Sequence, residues 1–585
     1  MFLWALRVPA PAHSGAADDR AMTLTPRDLG MNLSISRRDF FDGIAVSALG
    51  SMVSVSPTSV SPASVSPAEA PRQTVVPSSP SYGFRGGAPE ALSVPHALRD
   101  GRFWQYAGPA EPTGESYDLV VVGGGLSGVS AACEWLRRRP DASVLVIDNH
   151  DEIGGQARRV MFHRQSARGR TAAGLVDAVM CDAESFGADT LVRLTGDWVT
   201  RLPIAARARD DLRRLRHDPP DWFPGLPAEA KQERLAGLTY SAFLLEACGA
   251  HPDVERFCRS MSCPEWGYDT RALGAIDAWG TGYPGFGGLG LEKDKPSRYN
   301  SPTVRRQWGA GDAELHLFPE GNQALVRTMV GRLLPDPGSP DRPGDRVRFR
   351  LSSPVVSVRD GEGAAEVAYF DGHRVRSVAA GSVILACWSA VIPYLVPELP
   401  DEQRRALGEA VRVPLLHASV RVRDWDAWRR AGVRRVRWTG AYWSLAELEP
   451  PQRAGGPAEV HLLATPCRAE LGPKAGAAAG RRELIRTPYE VLERTIREQL
   501  ARLLGPAGFD PARDVEGITV NRWGHGNAPE YCRPWHTFYP DGPYPAEAAR
   551  RRFGRIAIAG SDAAPAARAD AAVTAAFRAV EELTR

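Results

Sequence analysis

Apolar positions along this chain gather into short, unbroken runs rather than one long repeating stripe. Y-D-L-V-V-V occupies 117–122, S-V-L-V-I-D 143–148 and S-V-I-L-A-C-W 382–388, while F-G-R-I-A-I-A-G-S-D-A spans 553–563. Runs this short, rich in valine and isoleucine and closed by glycine or an acid, predict strands buried on both faces, as in a parallel sheet. L-S-S-P-V-V-S-V-R-D at 351–360 predicts a further, inserted strand. Two of the runs lead directly into helical patterns, Val129 to Arg139 after the first and an Ala-rich segment after the last. Strand and helix therefore alternate at both ends of the chain, which predicts an α/β class. The arginine-rich stretch 405–540 shows no period on which elements can be placed.

Between the first run and its helix stands G-G-G-L-S-G. Gly123 permits a tight turn, Gly125 lets the backbone approach a pyrophosphate, and Gly128 lets the helix pack closely on the strand. Leu126 and Ser127 open that helix, whose N-terminus favours phosphate. Asp148 ends the second strand about twenty residues past Gly128, where an acid accepts hydrogen bonds from a ribose 2′-OH and disfavours NADP; Asn149 follows it. Strand, glycine turn, helix, strand and acid in this order predict a Rossmann-type dinucleotide-binding domain.

A length of 585 residues calls for two or three packed units. The 43% hydrophobic and 24% charged fractions are those of an ordinary soluble globular protein. A net charge of +3, with basic and acidic residues interleaved, leaves no nucleic-acid footprint. Lysine occurs only at 231, 293, 295 and 474, which disfavours a lysine-centred mechanism. The eight cysteines form no C-x-x-C pair, so neither a metal site nor a haem attachment is signalled. Cys258 and Cys263 are close enough for a small disulfide loop, although isolated cysteines more often behave as buried hydrophobes.

S-I-S-R-R-D-F-F at 34–41, followed by a modest apolar stretch too short to span a bilayer, reads as a twin-arginine export signal. Val-Ser-Pro repeats follow, with Ala68-Glu69-Ala70 as a cleavage site. The expectation is an exported, periplasmic or extracellular protein without a stable membrane span, cytoplasmic if the signal does not function. Translation starts at Met1 or at Met31.

Ile153-Gly154-Gly155-Gln156-Ala157-Arg158 resembles the FAD signature of the amine oxidase and glutathione reductase families. That resemblance implies FAD, with Gly154, Gly155, Gln156 and Arg158 as contacts. The 553–563 segment resembles the flavin-closing motif, which adds Gly560, Ser561 and Asp562, and Val355 or Val356, the latter preferred, falls near the adenine by analogy. F-P-E-G-N-Q-A-L-V-R at 318–327 resembles the loop and helix that return the chain to the cofactor domain. More specifically, A-L-R-D-G, V-I-D-N-H-D-E-I-G-G, D-A-W-G, G-F-G-G-L-G-L, L-A-C-W and I-T-V-N-R-W-G-H-G resemble bacterial spermidine dehydrogenases over most of residues 80–585. The resemblance implies oxidation of a small-molecule, polyamine-like amine, with electrons passed to an unknown acceptor. Some members carry haem, which no motif in this chain supports.

The implied organisation is a signal and linker over 1–70, an FAD-binding domain from 117–165, 310–400 and 545–585, and a discontinuous α+β substrate domain from 170–305 and 405–540. In N-R-W-G-H-G-N-A-P-E-Y at 521–531, Trp523 and Tyr531 are candidate pocket walls, His525 a proton acceptor, and Glu530 an anchor for a distal ammonium. The same residues read otherwise as core aromatics and a solvated turn acid. One departure stands out: the stretch after the second glycine pair is shortened to residues 160–180, and H-R-Q-S-A-R-G-R at 163–170 is too polar to rebuild an apolar turn over a flavin. Three readings follow: an amine-oxidising flavoenzyme, an FAD enzyme for an amino acid or specialised-metabolite intermediate, and a non-catalytic flavoprotein scaffold.

Overall fold

The computed structural model describes residues 83–85, 89–157, 174–292, 295–309, 322–334, 341–449, 456–527 and 531–585 (the last without 565 and 567), and the short pairs 34–35 and 315–316. Apart from Ser34 and Ile35 the export signal and its linker, the shortened stretch 160–180 as far as residue 173, the loop 317–321, Arg158 and Glu530 lie outside the described residues.

In chain order the strands that matter are β1 (Gly83–Arg85), β2 (Glu111–Val122), β3 (Val144–Ile147), β4 (Val176–Cys181), β5 (Thr190–Arg193), β6 (Val347–Arg350), β7 (Val355–Arg359), β8 (Ala365–Phe370), β9 (Val375–Leu385), β10 (Val413–Val422), β11 (Val433–Trp438), β12 (Leu445–Glu449), β13 (Ala458–Ala464), β14 (Val515–Asn527) and β15 (Ile556–Ile558). Three helices recur below: α1 (Pro89–Arg99), α2 (Leu126–Arg138) and α3 (Ala569–Thr584).

The first sheet runs β6-β3-β2-β9-β8-β7, with β15 added to β9. Its β6, β3, β2, β9 and β15 pair in parallel, while β8 and β7 are an antiparallel extension. The unbroken apolar runs have a simple cause. Leu119 and Val121 face α2, α3 and the helix Asn322–Leu333, and Val120 and Val122 face the opposite layer with Ile392 and Leu395. Each such burial contributes roughly 1.5–3 kcal/mol. Strand β2 begins at Glu111, earlier than its apolar run, because its first half is largely exposed and carries no hydrophobic signal. The fold is thus mixed α/β with a Rossmann-type domain.

The second sheet runs β1-β14-β10-β13-β12-β11-β4-β5. One face is apolar: Leu416, Ala418, Val420, Leu462 and Val520 pack against Leu492, Ile496 and Leu500 of the helix Tyr489–Leu504. Helices between residues 198 and 309 form a third apolar body around Phe243, Phe286 and Trp279. All eight cysteines are free, so Cys258 and Cys263 form no disulfide. Among the described residues no helix is long and apolar enough to cross a membrane.

Candidate flavin site

The glycine turn is built as tightly as its residues allow. Gly123 has φ 110°, a conformation that L side chains rarely adopt. A Cβ on Gly128 would stand 1.8 Å from the Gly123 carbonyl oxygen, so only glycine lets α2 close on the strand. At Gly125 a Cβ would meet nothing nearer than the Gly155 Cα, at 3.9 Å, which leaves a backbone cradle in front of the α2 N-terminus. The second glycine pair closes beside it through Gly154 N–H donating to the Gly124 carbonyl at 2.9 Å.

Asp148 holds this turn together. Its Oδ2 accepts from Gly124 N–H at 2.6 Å, and its Oδ1 accepts from His150 N–H at 2.8 Å and lies 3.0 Å from His150 Nδ1. Burial alone would raise the carboxyl's pKa, and the bonds from His150 and Gly124 outweigh it, holding the group below its ordinary value. Asn149 donates to the Ala91 carbonyl at 2.7 Å and so anchors α1 over the cleft.

The far end of the chain is tied to the same place. Ser127 Oγ donates to the Ala572 carbonyl at 2.9 Å and accepts from Gly560 N–H at 3.0 Å, joining the first helix to the last. Asp562 is buried; it accepts from Ser389 N–H at 2.9 Å and pairs with Arg412. Arg412 is a hub that the sequence did not single out, being one arginine in an arginine-rich stretch. Its guanidinium donates to Ser561 Oγ at 3.1 Å, to Gln156 Oε1 at 2.9 Å, and to the carbonyls of His525 and Gly526 at 3.1 and 2.9 Å. Gln156 donates in turn to the His525 carbonyl. Arg481 donates to the Gly524 carbonyl at 2.7 Å and to the Arg412 carbonyl at 2.5 Å, fixing the end of β14 against the cofactor domain.

Gly123, Gly125, Leu126, Ser127, Asp148, Asn149, Gly154, Gly155, Gln156, Gly560, Ser561 and Trp523 border one continuous cavity. The residues fit FAD on two grounds beyond the cradle: His150 Nε2 and Asn527 Nδ2, both on residues of the cavity wall, are buried polar atoms without hydrogen-bond partners. Neither was singled out from the sequence, which contains no signal separating them from their neighbours.

Several expected residues stand elsewhere. Val355 lines the cavity, whereas Val356 points into the hydrophobic core, since adjacent strand residues face opposite ways. Gly128 and Asp562 sit behind the wall as packing and ion-pair positions. Tyr531 is no part of the wall: it is buried among Phe538, Tyr539 and Tyr544, and its hydroxyl is pushed above the ordinary range by burial. His525 does not border the cavity either; its ring packs on Trp388, which does, with centroids 4.6 Å apart. Burial, then Arg481 and Arg412, push the His525 imidazole well below its ordinary pKa, so the ring is neutral at pH 7.

Comparison with known proteins agrees with this geometry. The sequence profile of an NAD(P)-binding Rossmann-like domain matches residues 121–173. A putrescine oxidase triple mutant shares the fold with a TM-score of 0.51 at 17% identity, covering 80% of this chain and 99% of that one. Cyclohexylamine oxidase from Brevibacterium oxydans gives 0.49 at 19% identity, over 80% and 100%. Oxidoreductase PigB of a Serratia species is 36% identical over 83 residues, a match spanning 14% of this chain and only 11% of that protein. The profile of flavin containing amine oxidoreductases matches residues 274–584, more than half of the chain, and the chain belongs to that family, with FAD as its cofactor.

Proposed function

We propose that this protein oxidises a small aliphatic, polyamine-like amine with FAD, in the manner of a spermidine dehydrogenase. The observation that carries the reading is the cavity lined by the glycine turn, the C-terminal Gly560-Ser561 segment, Trp388 and Trp523. Bound FAD supplies the two-electron acceptor for a hydride leaving the carbon next to nitrogen. The chain supplies the surroundings. Trp388, Trp523, Val391 and Leu395 give the cavity apolar lining, which penalises a charged ammonium and favours the neutral amine whose lone pair the reaction needs. Arg412 and Arg481, through carbonyls 524–526, position the strand that carries Trp523. His525 is a neutral ring behind Trp388 and acts on the shape of the wall rather than as a strong base.

We also propose export by the twin-arginine route, supported by S-I-S-R-R-D-F-F at 34–41, and a cofactor domain assembled from 117–165, 310–400 and 545–585. Anaerobic titration of the FAD-loaded protein with amines, amino acids and a dye acceptor tests the reading. Bleaching of the flavin by aliphatic amines supports it. Bleaching only by amino acids moves the substrate class, and a folded protein that retains no flavin returns the scaffold reading.

A further inference from the structure

A basic face lies outside the flavin cavity, on the helix Gly472–Arg486. Arg482 and Arg486 stand one turn apart on it, both exposed, with exposed Ile485 beside them. They border an open groove together with Arg468, Glu483 and Thr487. Glu483, the acid of this groove, is taken by Arg468 at 2.9 Å. Arg522 adds a further cation at the rim, its guanidinium 3.5 Å from the Thr487 carbonyl oxygen. Lys474, earlier on the same helix, is paired with Glu409 at 2.6 Å. Among the described residues neither Arg482 nor Arg486 has an ion-pair partner.

This face is tied to the flavin wall. Arg481, the neighbour of Arg482, donates to the Gly524 carbonyl, and the next residue, His525, packs its half-buried ring on Trp388, which borders the cavity. Burial, then Arg412, Arg482 and Arg99, push Arg481 down to about 10, and no acid acts against them. Asp562 offsets Arg412, and Asp100 sits between Arg99 and Arg102. Arg481, Arg482 and Arg486 keep three charges that no described acid pairs. The whole chain has a net charge of only +3, so this is a local excess rather than general basicity. A field of one sign attracts and orients a partner of the other. A substrate has to enter the cavity, because its carbon must touch the flavin. Electrons need not, and an open outer groove with an exposed isoleucine among arginines matches the polar, mixed surface by which one protein meets another.

We infer that the Arg482–Arg486 face docks the acidic surface of a one-electron carrier protein, which draws electrons from the reduced flavin by way of Trp388 and His525. Two successive carrier molecules each gain one electron from FADH2, and its two protons go to solvent, leaving FAD. The inference requires the flavin but no particular substrate, so it stands apart from the amine-oxidising reading.

The test uses two carriers of opposite charge: plastocyanin, an acidic copper protein, and cytochrome c, a basic haem protein. The FAD-loaded full chain is reduced with stoichiometric dithionite, without any amine, and mixed anaerobically with each oxidised carrier in a stopped flow. It is compared as wild type, as Arg482→Glu with Arg486→Glu, and as Arg342→Glu, an exposed arginine on the loop before β6. Plastocyanin reoxidises the wild-type flavin at a rate that falls as salt rises. The ratio of its rate to that of cytochrome c drops at least about tenfold in the double variant and holds in Arg342→Glu. Calorimetry of oxidised plastocyanin on the oxidised protein, where no electron moves, gives the same order of affinities. Dioxygen, which is uncharged, reoxidises all three proteins alike. A ratio that drops no further in the double variant than in Arg342→Glu overturns the inference, as does reoxidation by dioxygen alone. Binding that follows the charge with no matching change in the reoxidation rate overturns the electron-accepting role.

Discussion

The first sheet is covered by apolar layers on both faces; the second is apolar on one face and polar on the other, although both are buried. In the first, Val120 and Val121 point opposite ways into equally dry surroundings. In the second, Ala418 and Val420 pack on helices while Ser419, His461, Thr519 and Asn521 bury polar atoms on the reverse. The difference separates two tasks. A cofactor common to a family is held by backbone and glycine, which need few particular side chains. Under the proposed amine-oxidising reading, the side chains that choose the substrate stand on the second sheet, which is joined to the first through Arg412 and Asp562.

That division can be broken from either side. The largest effect is expected at the turn: Gly128→Ala places a Cβ 1.8 Å from a backbone oxygen that cannot move away, costing more than about 4 kcal/mol and abolishing flavin retention, read by urea unfolding and the flavin-to-protein ratio. Next is the joint between the sheets. Arg412→Met leaves Asp562 buried and unpaired and destabilises by about 3–5 kcal/mol, and adding Asp562→Asn recovers part of the loss in a double-mutant cycle.

A smaller effect comes from two acids in the helical body, Asp277 buried and Glu265 half-buried. Burial pushes Glu265 up to about 7, against a hydrogen bond from Tyr283 and the charge of Arg435, and pushes Asp277 up to about 7 against bonds from Ser301 and Asn300. Between about pH 4.5 and 7 the folded chain keeps protons that the unfolded chain has released. Both groups therefore make stability fall as pH rises through that window, and Glu265→Gln flattens the slope. A slope that Glu265→Gln leaves intact would remove Glu265 from this account. The smallest effect is at Ser127→Ala, which strips Gly560 N–H of its partner and costs about 1 kcal/mol, measured as a shift in urea midpoint.

What was legible in the sequence follows the same division. Glycines and an acid at fixed spacing can be read because backbone geometry demands those residue types, and the turn at Gly123–Gly128 stands as the spacing implies. The choice between Val355 and Val356 is a matter of strand parity, and one residue of register turns a wall residue into a core residue. Arg412 was hidden by its many like neighbours. Strand β10 does alternate, with His417, Ser419 and Arg421 between Leu416, Ala418 and Val420, but its polar face is buried, so alternation alone gives no hint of a site. Tyr531 was read as a wall and His525 as a proton acceptor from their proximity in sequence to Trp523. Tyr531 instead completes an aromatic cluster with Phe538, Tyr539 and Tyr544, and His525 backs Trp388.

The most direct test of the central claim is the visible spectrum of the chain from Pro71 onward, purified with FAD and mixed anaerobically with spermidine. The account predicts flavin bands that bleach on mixing and return with a dye acceptor. Flavin bands that persist with spermidine and every other aliphatic amine would contradict it.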